Sequence, residues 1–105
     1  MDAASVRKIV EDELANRGIE VPPHAHGVDL QRCLVEPTLQ HFKGFPEGSP
    51  DWELWVVLEE DPVQCAHYKV AFDPDAHMFC LAYGQQPGAR YIGHYGSFLD
   101  TLGAM

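Results

Sequence analysis

Basic side chains are scarce in this chain. Among 105 residues there are 7 Lys and Arg against 16 Asp and Glu, a formal charge of −9. That shortage excludes a basic face for nucleic acid or for an anionic membrane surface. Cysteine is also sparse, and its count is odd: Cys33, Cys65 and Cys80. Without a C-x-x-C pair there is no thioredoxin-like redox motif. An odd count with no secretory leader at Met1–Val10 predicts free thiols in a reducing, cytoplasmic setting. No apolar run exceeds strand length, which excludes a helical membrane span of ~20 residues. Serine occurs only at Ser5, Ser49 and Ser97, with no G-x-S-x-G elbow, and no glycine-rich phosphate loop occurs.

What remains is the composition of an ordinary globular chain, 46% hydrophobic and 22% charged. The length predicts one domain over 1–105. Val6, Ile9, Val10 and Leu14 fall on one stripe at a 3.6-residue period, which predicts a helix over 5–17 with Asp2 or Ser5 as its N-cap. Arg17-Gly18-Ile19 reads as its stop. Residues 20–29 form a Pro- and Gly-containing connector. Strand-like segments follow at 33–35 and 38–42, with Pro37 between them as a bend or edge position. Residues 53–59 alternate with apolar side chains on both faces, which predicts a central or doubly covered strand. Residues 68–72 and 78–83 flank Asp73-Pro74-Asp75-Ala76, a hairpin turn. Residues 91–96 read as a glycine-containing lead-in to a short C-terminal helix that Ser97 can cap. The fold class predicted is therefore α+β: an N-terminal helix, an antiparallel meander of three to five strands, and a short C-terminal helix packed on the sheet.

Two residue sets could carry function. From Glu47 to Asp61 six acids (Glu47, Asp51, Glu53, Glu59, Glu60, Asp61) occur without a Lys or Arg, with Trp52 and Trp55 interleaved. Carboxylates beside aromatics suit a face that docks a basic protein. Its predicted members are Glu47, Asp51, Trp52, Glu59, Glu60 and Asp61, with Glu59-Glu60-Asp61 read as a solvated turn and Trp55 as core. The second set is His24-x-His26 with Cys65-x-His67, four ligands of a type zinc accepts, although neither spacing matches a known structural zinc motif. Cys33 and Cys80 lie in apolar runs and read as small core residues.

The leading expectation is a non-enzymatic protein-binding module with no resident cofactor. Small acidic α+β domains of a bacterial type include immunity and adaptor proteins, an analogy of fold class that fixes no function. The alternatives are a metal-binding or small catalytic domain using His24, His26, Cys65 and His67, and a small homo-oligomer, such as a homodimer, joined through the two-faced strand. One expected outcome follows from the cysteines alone. Thiol labelling of freshly purified, unfolded protein should count three reactive groups; a count of one would mean that a disulfide has formed.

Overall fold

The computed structural model describes residues 2–17, 30–44, 48–64 and 66–104. Helix α1 (Ala3–Arg17) and a single turn, α2 (Leu30–Cys33), precede the strands. These are β1 (Leu34–Phe42), β2 (Trp52–Asp61), β3 (Ala66–Asp73), β4 (Met78–Tyr83) and β5 (Arg90–Gly96); helix α3 (Phe98–Gly103) ends the series. The five strands form one sheet in sequence order, every neighbouring pair antiparallel. This is the α+β meander the sequence predicts, with the full five strands. The connector 20–29 and the helix stop at Gly18-Ile19 lie outside the described residues.

Local chemistry explains the element boundaries. The Asp2 carboxylate accepts the Ser5 N–H at 2.8 Å, so Asp2 is the N-cap of α1. That bond from Ser5 holds the Asp2 carboxyl below its ordinary range. The two segments predicted around Pro37 are one strand, because the register shift between Leu34 and Thr38 absorbs the residue that lacks an N–H. Asp73 pairs with Met78 to close the β3–β4 hairpin, and its Oδ1 accepts the Asp75 N–H at 3.0 Å. Glu59-Glu60-Asp61 belong to β2 rather than to a turn, which occupies the residues that follow.

The predicted lead-in at 91–96 is a strand, a difference with a simple cause. Its pairing with β4 shifts register at Phe79/Cys80 and again at Leu81/Ala82, so it shows no clean alternation. It ends at Gly96, whose φ of +97° lets the chain turn sharply into α3. Ser97 then caps α3, its Oγ accepting the Asp100 N–H at 3.0 Å.

The sheet has two buried faces. On one, Val6 and Val10 of α1 and Phe98 and Leu102 of α3 pack against Val57, Leu58, Val70, Phe72 and Phe79. The other is concave and buries Phe42, Leu54, Val56, Ala71, Cys80, Ala82 and Ala89. None of the described helices packs on it; the sheet curls over it. At one end the outer strands meet: Lys43 N–H donates to Ala89 O and Tyr91 N–H donates to Lys43 O, both at 2.9 Å, in a parallel bridge between Lys43 and Arg90. The meander is thus a partly closed barrel, and Ala71, Ala82 and Ala89 are among the small side chains on its inner face. The apolar second face of β2 is covered within one chain, which accounts for the feature that suggested a subunit interface.

Glu13 ties the ends of the chain together. Its two carboxylate oxygens accept the N–H groups of Phe98 (3.0 Å) and Leu99 (2.9 Å), the unpaired first donors of α3. Replacing Glu13 by Ala should cost about 1–3 kcal/mol in urea unfolding, and Glu13→Gln should cost less, because it keeps one acceptor. An unchanged midpoint for Glu13→Ala would show that the docking of α3 does not depend on this contact.

Candidate functional site

The acidic stretch does not form one patch. β2 is ten residues long, which separates Asp51 and Trp52 from Glu60 and Asp61 by roughly 30 Å at a strand's rise. Charges that far apart act independently at physiological salt, where the screening length is about 8 Å. Each end also has internal work. Asp51 Oδ2 pairs with His41 Nε2 at 2.8 Å, and its Oδ1 accepts the Gly44 N–H at 3.2 Å. The bond to His41, then that from Gly44, holds the Asp51 carboxyl below the usual range. This clamp favours the ionised form, so it holds at neutral pH and is lost as pH falls through the lowered value. Trp52 is half-buried against the rings of Tyr91 (4.7 Å) and His94 (5.2 Å), not a free docking anchor. Glu47 lies outside the described residues.

Glu59 and Glu60 divide across the sheet. Glu59 is 3% exposed and forms an ion pair with Lys69, itself 1% exposed, so it must be removed from the docking set. The sequence misled here because a run of three acids looks solvated, whereas strand alternation turns the first inward and the second outward. Glu60 is exposed and its Oε1 accepts the Tyr68 N–H at 3.2 Å. Asp61 caps the β2–β3 turn, its Oδ1 accepting the Val63 and Gln64 N–H groups at 3.2 and 3.1 Å. Of the zinc candidates, His24, His26 and Cys65 lie outside the described residues. His67 is exposed at the start of β3, with a left-handed φ of 66° and its ring against Tyr83. Among the described residues no cluster of three or more His, Cys, Asp or Glu is arranged to hold a metal.

The concave face gathers titratable groups that the sequence reading left unassigned. His94 of β5 reaches across β4 to Asp73 of β3: Nε2 lies 2.8 Å from the Asp73 Oδ2, and Nδ1 lies 2.5 Å from the Tyr91 hydroxyl. Asp73 is 3% exposed. An ionised carboxylate only accepts, so with a neutral ring the proton resides on Nε2, and Nδ1 accepts from the Tyr91 O–H. Burial first, then the neighbouring Cys80 and Asp73, pushes the Tyr91 phenol up and keeps it protonated. Cys80 pairs in register with His94 beneath this chain. Burial, then the charge of Asp73, pushes its thiol up to about 12, so it stays protonated and poorly nucleophilic at neutral pH. That agrees with its reading as a small core residue, as does the burial of Cys33. The Asp–His–Tyr chain has the connectivity of a proton relay; here it joins β3 to β5 across the strand between them. Its signal in the sequence is faint, because Asp73 reads as a turn residue and His94 sits between glycines.

Compared with known protein families, curated proteins and solved structures, the chain matches none. No helix among the described residues is long and apolar enough to cross a membrane.

The Glu59–Lys69 pair supplies a sharp test of the concave face. Each charge offsets the desolvation cost of the other in this buried position. Glu59→Gln or Lys69→Met alone should destabilise the fold by about 3–5 kcal/mol, whereas Glu59→Leu with Lys69→Met should recover most of that loss. Additive losses in chemical denaturation would show that the two charges are not coupled.

Proposed function

We propose that the protein is a protein-binding module that docks a basic partner at the corner formed by the β2–β3 turn and the end of β4. The observation that carries this reading is the presentation of Val63. It is the most exposed large apolar side chain among the described residues, at 77%, and it projects from a turn pinned on both sides. Asp61 holds the Val63 and Gln64 N–H groups, and the Gln85 side-chain amide donates to Gln64 O at 2.6 Å. A rigid tip loses little conformational freedom on binding.

The surroundings supply area and charge. Tyr83 is 45% exposed, propped by Tyr68 in an edge-to-face contact with ring centroids 5.0 Å apart. The register places Glu60 on the same face as Tyr68, across from the buried side of Glu59. An acid beside tyrosine and an aliphatic tip matches a cationic, partly apolar partner, and the net charge of −9 adds long-range steering. Of the residues first assigned to docking, Glu60 and Asp61 belong to this corner, Asp61 through the turn that it holds.

The test uses variants that leave the internal bonds in place. Glu60→Gln keeps an acceptor for Tyr68 and Val63→Ser spares the turn, so each should alter stability by no more than about 0.5 kcal/mol. Affinity capture from source cells should recover a basic protein with the unaltered chain and lose most of it with Val63→Ser. Glu60→Gln should slow association several-fold at low salt and much less at high salt. A captured partner whose rate is indifferent to both variants and to salt would overturn this reading.

A further inference from the structure

We propose that Tyr91 is a one-electron redox site, which gives up an electron to an outer-sphere oxidant as its phenolic proton passes to His94 Nδ1. The place prepared for that proton carries the inference. The Tyr91 hydroxyl donates to Nδ1 at 2.5 Å, and Nε2 of the same ring lies 2.8 Å from Asp73 Oδ2. The hydroxyls of Tyr68, Tyr83 and Tyr95 make no hydrogen bond among the described residues. Of the four tyrosines in the chain, Tyr91 is therefore the one with a base already in place.

A phenol that loses an electron alone becomes a radical cation, a very strong acid. Loss of the proton in the same step avoids that species. The O–H bond of Tyr91 breaks, an N–H bond forms at His94 Nδ1, and the electron leaves to the oxidant. The products are a neutral tyrosyl radical, an imidazolium and the oxidant reduced by one electron. Such a transfer needs a base within hydrogen-bond reach, which Nδ1 supplies. Burial holds the Tyr91 phenol protonated, so the electron cannot leave from a phenolate formed beforehand. The new imidazolium lies against the buried Asp73 carboxylate in a charge-assisted hydrogen bond. Return of an electron sends the proton back to the phenol, so the site cycles. His94 is the proton acceptor and Asp73 a positioning residue.

The surroundings give the electron a route. The Trp52 ring centroid lies 4.7 Å from that of Tyr91 and 5.2 Å from that of His94. Trp52 is half-buried beside exposed Asp51, so its indole connects Tyr91 with the surface. Trp52 and Tyr91 both pack on the apolar cluster of the concave face, which limits contact of the radical with water. The site does not rest on the docking reading, and Val63→Ser should leave it unchanged.

The experiment oxidises the full chain with tris(bipyridine)ruthenium(III) generated by a laser flash. The tyrosyl radical is followed by its optical band and by electron paramagnetic resonance of freeze-trapped samples. N-acetyltyrosinamide serves as the unassisted phenol. The protein should form the radical several-fold faster than the amide, with a solvent deuterium isotope effect; neither comparison needs a variant. Tyr91→Phe, which keeps the ring and loses the hydroxyl, should remove most of the signal. His94→Gln can still accept from Tyr91 and donate to Asp73 but has no basic nitrogen, and it should slow radical formation several-fold. Asp73→Asn should slow it less and retain the isotope effect. Cys80→Ala should leave the signal in place. A radical that survives Tyr91→Phe, a rate no faster than that of the amide, or indifference to His94→Gln would overturn the proposal. A signal centred on Trp52 or Cys80 instead would overturn the assignment to Tyr91.

Discussion

The hydrogen bond between Asp73 and His94 joins strands that are not neighbours. β3 and β5 lie on either side of β4, and the two side chains reach over that strand to within 2.8 Å of each other. Twist alone does not close so short a meander. The curl is made by contacts across the concave face: this bond, the hydroxyl of Tyr91 on the same imidazole, and Trp52 of β2 against both rings. At the end where Lys43 bridges Arg90 the backbone itself completes the closure. Breaking the side-chain brace would leave the backbone bridge to hold the curvature alone.

The consequence is a sheet buried on both faces in a chain with few helices to spare. The helices cover one side, and the curl covers the other with small residues at Ala71, Ala82 and Ala89. A space closed this tightly is low in dielectric, so its polar groups must satisfy one another. They do: among the described residues every buried side-chain nitrogen or oxygen has a partner. The Glu59–Lys69 ion pair and the Asp73–His94–Tyr91 chain are two solutions to the same constraint.

The same constraint consumes much of the negative charge that looks available for partners. Glu59 and Asp73 are internal, Asp51 clamps a loop, Asp61 caps a turn and Glu13 caps α3. Net charge still shapes the field around the molecule, but docking chemistry reduces to the few places where an acid, an aromatic ring and an exposed apolar group coincide. The corner carrying Glu60, Val63 and Tyr83 is such a place.

Periodicity in the sequence determined the fold class. The stripe through Val6 and Val10 specifies α1, the alternation through 53–59 and 78–83 specifies strands, Asp73-Pro74 specifies the hairpin, and Ser97 specifies the start of α3. These signals are local: each depends on side chains a few residues apart, so they are legible without knowledge of the fold. β5 escaped because its bulges and glycines erase the alternation on which that reading depends. Only the tertiary structure decided which acids meet solvent, that Lys69 finds Glu59, and that His94 lies over β4 to reach Asp73. Those outcomes depend on curvature and cross-strand register, set by contacts between residues far apart in the chain, and no short stretch of sequence encodes them alone.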